Sequence, residues 1–416
     1  MSQKIKSQYG TLSSKNDGYY ILFFLIWPLI GFIFACTNFG NKISRIIILA
    51  FFALFGFTFY LNPAMDGQRR ADSFKQIYSE PFENLYKNFD NLYEETLDFV
   101  EPVIMYTISR FTDFYGILFA VYALIFGSLM VYFFKKMYGH YNVNKNINAL
   151  LFFILLVCVN PINNIGGFRM WTAAWIFSVG VMNYLHKQNF KYILFAAGSF
   201  FVHFSFFPAF CLFVVYILFK NLTKIYGIIA IITFFISELN IEKFKQLAAI
   251  FGTASETKIK AYTDEKYVEK VTQLASEFAW YLQFINDALK YFVLFTLLVV
   301  FLKTKGKFKS QLTANSYSFA LLLLSFANIS SLMPSGGRFY TVFYIFGIST
   351  ILLYYVYEQT EKKINSINKY TWPIVGLYAI VAFRLFSDTA SLYLIGPSFF
   401  IQNAFIENVS LESFLF

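Results

Sequence analysis

Charge is scarce in this chain. Only 14% of its 416 residues are Asp, Glu, Lys or Arg, against about 25% in soluble domains, which excludes an ordinary water-soluble globule. The three cysteines (Cys36, Cys158, Cys211) lie in or at the edge of apolar runs and read as small buried hydrophobes, so neither a disulfide framework nor a metal knuckle is expected. There is no Walker loop, no HExxH, no GxSxG and no His/Cys set at metal-ligand spacing. The first long polar segment holds no DxD or ExD pair, the mark of a metal-dependent lipid-phosphosugar transferase. No cofactor and no metal are therefore expected. No Pro/Ser/Gly-rich linker and no tandem repeat divides the chain, so residues 1–416 read as a single integral domain.

What the chain has is apolar and aromatic surface. Hydrophobic residues make up 57% and aromatics 22%, with 56 Phe and 30 Tyr, and the mean hydropathy is +0.53. Apolar runs of about 17–22 residues predict an all-α, polytopic integral membrane protein. About twelve transmembrane helices are expected, near 19–36, 46–61, 114–134, 147–161, 169–185, 190–205, 207–219, 225–239, 281–302, 315–333, 339–357 and 372–387. Residues 1–36 have the outline of a signal peptide. Trp27 and Pro28 within the run, and no small-residue cleavage site, favour a retained first helix.

The net charge of +10 does not form a basic groove for nucleic acid. One alternating set of short turns carries sixteen Lys and Arg against two glutamates, which marks the cytoplasmic side. The opposite set holds two extended outer-face segments, 62–113 and 240–280. The first carries nine acids against four bases over 62–101, and a short interfacial helix is expected at 101–112 with Pro102 in its first turn. The second balances its charges and reads as a helical lid. Asp287 with Lys290, and Arg384 with Asp388, are spaced to pair within their own helices. Residues 389–405, broken by Gly396-Pro397, are too interrupted for a span.

The chemistry gathers at the outer ends of the spans. Gly166-Gly167-Phe168-Arg169 and Gly336-Gly337-Arg338-Phe339 each place paired glycines and an arginine at the start of a descending helix. A helix N-terminus already carries partial positive charge, so an arginine there costs about 0.3–1 kcal/mol unless an anion arrives. With an anion present, backbone donors and the guanidinium fork act together. The alternative is that both arginines reach toward lipid headgroups. His203, inside FFVHFSFF, is the only histidine within a span, and an intramembrane ionisable group is a site candidate by default. A histidine satisfied by a neighbouring helix is the competing reading. Asp66, Asp72 and Glu101 are candidates for a general base or for gripping sugar hydroxyls, against a plain solvated-loop role. Arg69 and Arg70 pair either with these acids or with phosphate.

Several of these features occur together in one family: Asp72 followed by Tyr78, Glu101-Pro102 opening a helix, Gly167-Phe168-Arg169 before a span, His203-Phe204-Ser205 closing Ala197–Ser205, and Arg338-Phe339-Tyr340. Over about residues 60–345 the chain resembles the EpsG-type family of exopolysaccharide and O-antigen polymerases, the Wzy-like membrane glycosyltransferases. The arginine before the outer-loop Asp sits at a different spacing here, Arg69-Arg70-Ala71-Asp72. The resemblance implies undecaprenyl-diphosphate-linked oligosaccharides as substrates, and metal-independent transfer of a growing glycan onto another lipid-linked unit. It implies Arg169 and Arg338 as diphosphate ligands, with Arg69, Arg70 and Tyr340 as further substrate contacts. His203 is the favoured base, with Asp72 and Glu101 as rivals or sugar contacts. It also implies a multi-pass place in the bacterial cytoplasmic (inner) membrane, the lipid bilayer as partner, and a flippase and chain-length regulator as neighbours in the pathway. The competing classes are a lipid-linked oligosaccharide flippase, a glycan ligase and a membrane acyltransferase. A flippase would spread its polar residues through both leaflets, whereas here they collect at one face.

Overall fold

The computed structural model describes residues 17–61, 66–81, 98–141, 147–220, 222–236, 280–333, 335–358, 367–394 and 410–415. Among them every regular element is helical, apart from one isolated antiparallel bridge between Ser391 and Ser410. The chain opens with α1 (Asp17–Ile26), α2 (Pro28–Thr37) and α3 (Lys42–Phe57). Outside the apolar bundle follow α4 (Asp66–Ser79) and α5 (Val100–Ser109). The bundle continues with α6 (Tyr115–Tyr141), α7 (Ile147–Val159), a 3-10 turn (Ile162–Gly167), α8 (Phe168–Lys187), α9 (Lys191–Val202), α10 (Phe206–Leu218) and α11 (Thr223–Phe234). It closes with α12 (Trp280–Thr304), α13 (Gln311–Ser330), α14 (Phe339–Tyr357), α15 (Ile367–Ser387) and the short α16 (Glu412–Leu415). The expected lid at 240–280 falls outside the described residues except at its last position.

Among the described residues five stretches are long and apolar enough to cross a membrane: Tyr115–Met137, Ile147–Lys187, Phe284–Thr304, Gln311–Ser330 and Gly336–Tyr357. This is an all-helical membrane protein among its described residues. The first expected span, 19–36, is divided in two because Pro28 begins a new helix. The ring forces Trp27 into an extended conformation, φ −148° and ψ 92°, as the residue before proline prefers. Helices α9, α10 and α11 are 12, 13 and 12 residues long, short of the roughly 20 that a full crossing takes.

Side-chain contacts fix the direction of the passes. Phe152 near the start of α7 stacks on Tyr355 near the end of α14, with centroids 5.6 Å apart. At that same end, Asn315 donates to the Leu185 carbonyl, the Tyr216 hydroxyl donates to the Asn315 carbonyl, and Glu358 accepts from the Lys309 and Ser310 backbone N–H groups. This end carries the lysine-rich turns. At the other end Asn328 of α13 donates to the Ala230 carbonyl of α11, and Phe206 of α10 packs on Phe339 of α14 with centroids 5.4 Å apart. The stretch Ile147–Lys187 therefore turns back on itself at the 3-10 turn, which lies at the end opposite the lysines.

Close helix contacts rest on glycine where a side chain has no room. A Cβ on Gly56 of α3 would lie 2.2 Å from the Phe119 carbonyl oxygen of α6, and one on Gly180 of α8 would lie 2.6 Å from the Ala196 backbone nitrogen of α9. Small residues at such crossings let helix backbones approach in an apolar medium. The expected ion pair within α12 does not form. Lys290 Nζ sits 4.4 Å over the Tyr340 ring and 5.3 Å over the Phe234 ring, while Asp287 is exposed. Rings on α14 and α11 thus take the ammonium that an exposed carboxylate one turn away does not hold. Arg384 does pair with Asp388, and with Glu412 as well.

Gly56→Ala and Gly180→Ala are each expected to cost about 1–3 kcal/mol through overpacking. Gly376→Ala, with nothing within 4 Å of the added Cβ, should be neutral or stabilising. Thermal unfolding in detergent or nanodiscs compares the three; equal midpoints would contradict the packing.

Candidate functional site

The segment outside the bundle is held to the helix ends by charge. In α4, Gly67, Ala71 and Phe74 are buried and Arg70 lies on the same face, at the i, i+3/i+4, i+7 spacing of one helical side. Arg70 therefore points inward. Its Nε donates to Glu101 Oε1 at 2.6 Å, and its NH1 donates to the Gly166 carbonyl at 2.7 Å. Three segments thus meet on one guanidinium: α4, the first turn of α5, and the 3-10 turn before α8.

Arg169, the second residue of α8, continues the chain. Its NH1 donates to Asp98 Oδ2 at 3.3 Å, and its Nε lies 3.0 Å from Glu101 Oε2. The latter is a charge contact, because that N–H is not aimed at the oxygen. Both acids are buried: the Asp98 side chain is 2% exposed and that of Glu101 7%, against 35% for Arg169. The arginine covers the carboxylates and keeps one edge toward solvent.

Asp98 is the centre of the arrangement. Its Oδ2 also lies 2.9 Å from His203 Nδ1, and its Oδ1 accepts the Phe204 backbone N–H at 2.6 Å. His203 reaches this position because α9 stops at Val202. The histidine adopts an extended conformation, φ −150° and ψ 112°, with its N–H on the Ser199 carbonyl. The chain then turns into α10, whose first turn accommodates Pro208. Ser205 of this turn donates to the Met170 sulfur, which ties it to the start of α8. An ionised carboxylate only accepts, so with Asp98 ionised the contact is a hydrogen bond donated by Nδ1. The ring is oriented by a carboxylate, as a general base requires.

The site residues expected from sequence divide sharply. Arg70, Glu101, Arg169 and His203 come together, and Asp98 joins them unforeseen. Asp72 does not. It is exposed on the far side of α4 and accepts from Gln68 Nε2 at 2.9 Å. Arg69 is exposed and paired with Asp66, so it too stands apart. Tyr340 donates to Asn328 Oδ1 at 2.9 Å under the Lys290 ammonium. Arg338, in the 3-10 turn Gly336–Arg338, is exposed and has no ion-pair partner among the described residues. It reaches the His203 end through its neighbour Phe339, which packs on Phe206. Gly336 is required there, since a Cβ would lie 1.7 Å from the Ser330 carbonyl oxygen. Among the described residues no three His, Cys, Asp or Glu side chains are grouped to hold a metal.

Fold and site together define a membrane protein that gathers a charge-balanced chain of ion pairs, ending on an Asp–His contact, at the end of its bundle away from the basic turns. The chain belongs to the EpsG family, whose model matches residues 46–395; this is a family of Wzy-like polymerases. The matched region contains the whole cluster and Arg338. Searches of curated proteins and of solved structures returned no match.

Removing the hub should cost more than removing a surface acid. Asp98→Ala leaves buried Arg169 and His203 contacts unmatched, with an expected loss of about 3 kcal/mol. Asp66→Ala, which loses partly exposed pairs, is expected to cost about 1 kcal/mol or less. Chemical denaturation of the two variants in the same detergent reads the difference directly.

Proposed function

We propose that this protein is a bacterial polysaccharide polymerase. It joins undecaprenyl-diphosphate-linked oligosaccharide repeat units at the outer face of the cytoplasmic membrane, by glycosyl transfer that uses no metal ion. The observation that carries this reading is the buried Asp98–His203 contact beside Arg169, in a chain of the EpsG family. In the proposed fold about twelve apolar segments enter the bilayer, the short ones as partial crossings packed against the longer helices.

The reaction needs one hydroxyl activated and one diphosphate released. In our reading, His203 Nε2 takes the proton of an acceptor sugar hydroxyl, and Asp98 stabilises the imidazolium that forms. The hydroxyl oxygen bonds to the anomeric carbon of the donor glycan as the bond from that carbon to the diphosphate oxygen breaks. The lipid diphosphate leaves with the electron pair. Arg338 and the outward edge of Arg169 hold its oxygens, with the fork of each guanidinium matching two of them. Arg70 and Glu101 position Arg169 and need not touch substrate. Asp72 and Arg69, on the outer side of α4, are left to contact glycan.

Loss of general-base catalysis typically costs about 10²–10⁴-fold in rate. His203→Ala is therefore expected to leave single repeat units in a deletion host, read as a surface-glycan size ladder, whereas Asp72→Ala should keep most of the polymer. Arg169→Lys keeps the charge but loses the fork, and should shorten the chains. Accumulation of lipid-linked units on the cytoplasmic side of the deletion strain would point to flipping instead and overturn the reading. So would intact long chains lacking only a decoration.

A further inference from the structure

A second charged cluster lies at the same end of the bundle, built on different helices. Lys290 belongs to α12, six residues inside the apolar stretch that begins at Phe284, or about 9 Å along the helix axis at 1.5 Å per residue. Its ammonium rests over the Tyr340 ring at 4.4 Å and the Phe234 ring at 5.3 Å. The Tyr340 hydroxyl donates to Asn328 Oδ1, and Asn328 Nδ2 donates to the Ala230 carbonyl and to Thr233 Oγ1. Four helices, α11 to α14, thus fix one lysine in place. Arg338 lies two residues before Tyr340.

These two cations differ from Arg70 and Arg169 in one respect: among the described residues no carboxylate pairs with them. Lys290 forms no ion pair with Asp287, although the two are only three residues apart on α12. Aromatic faces return only part of an ammonium's lost hydration, about 0.5–2 kcal/mol. A lysine at membrane depth with no acid partner is an unusual expense. Its remaining donors suit an anion, and a compact ammonium is a common point-charge ligand for phosphate. The rings and amide beneath it are already occupied with one another and hold it in one pose.

We propose that Lys290, set on the Tyr340 and Phe234 rings with Arg338 two residues before Tyr340, is a binding site for a phosphate ester carried on a lipid. The occupant is the diphosphate of a lipid-linked substrate or the headgroup of a bulk anionic phospholipid; both present the same oxygens at this depth. Its assignment to a substrate rests on the polymerase reading given above. The binding itself does not.

The test uses the full chain in nanodiscs. A short-chain prenyl diphosphate is titrated in phosphatidylcholine discs against the parent, Lys290→Met and Lys290→Arg. The expected result is affinity reduced about tenfold or more in Lys290→Met, the loss of one charged contact, and largely restored in Lys290→Arg. Acylation of Lys290 in the unmodified protein by an amine-reactive ester, read by mass spectrometry, should slow when the prenyl diphosphate is present. This arm stands even if a variant fails to fold. If instead phosphatidylglycerol protects Lys290 and the prenyl diphosphate does not, the site is a phospholipid-headgroup site. If neither ligand slows acylation and Lys290→Met binds both like the parent, the proposal is wrong, and the lysine is a cation–π strut. The two readings fail separately: absence of polymer in the complemented host sinks the polymerase reading, while Lys290-dependent binding would survive it.

Discussion

A charge taken out of water must be met by another charge or by several hydrogen bonds, and at one end of this bundle Asp98 is where that requirement is settled. Its two oxygens receive a guanidinium, an imidazole nitrogen and a backbone N–H from two separate segments of the chain. Glu101, one turn further on, receives Arg70 and Arg169. The two arginines and two acids cancel, so the cluster is close to neutral before His203 is counted. A neutral cluster lets α4 and α5 lie against the helix ends without leaving an unmatched charge. It also makes the position of His203 depend on the stretch from Asp66 to Ser109 as much as on α9.

Such a chain is a poor choice for stability alone. Desolvating buried ions consumes most of what their attraction returns, and well-packed apolar residues frequently do as well. A neighbouring contact in this protein is made that way: Phe59 stacks on Phe119, with no charge involved. Placing four ionised groups and a histidine where aromatic packing would suffice is easier to understand as chemistry than as scaffolding. Perturbed or specially partnered ionisable groups concentrate at functional sites for this reason.

Much of this was legible in the sequence. Apolar runs gave the helical membrane class, and the intramembrane context of His203 and the paired glycines before Arg169 marked two members of the cluster. The span count was less accessible. Run length does not show where a proline such as Pro28 divides a helix, nor that α9 to α11 stop after three turns. Asp98 was hidden among similar acids, Asp90, Glu94, Glu95 and Glu101. One signal was present: it stands in LDFVEPV, the stretch where the acidic loop turns apolar, three residues before Glu101. Asp72 adjoins Arg69-Arg70 in sequence, yet the helical period places it opposite the Gly67, Ala71 and Phe74 face that Arg70 shares. Sequence spacing pairs Lys290 with Asp287 because it shows what lies on its own helix and nothing of the rings that α11 and α14 bring beside it.

In the proposed reaction the two clusters would answer opposing demands. A base strong enough to take a hydroxyl proton is helped by a carboxylate, which stabilises the imidazolium. A departing diphosphate is harmed by that same carboxylate, since like charges held close in a low-dielectric setting repel by several kcal/mol. One compact pocket containing both would weaken each function. Dividing them would resolve the conflict: acids collect around His203, and two cations with no acid partner among the described residues stand on α12 and before α14. Arg169 is suited to the boundary, with two nitrogens covering Asp98 and Glu101 and an exposed edge left over. In the proposed reaction its guanidinium would shield the leaving group from the carboxylates beside His203. Lysine, with a single ammonium, cannot cover both acids and face an anion at once, so at this position fork geometry matters beyond charge.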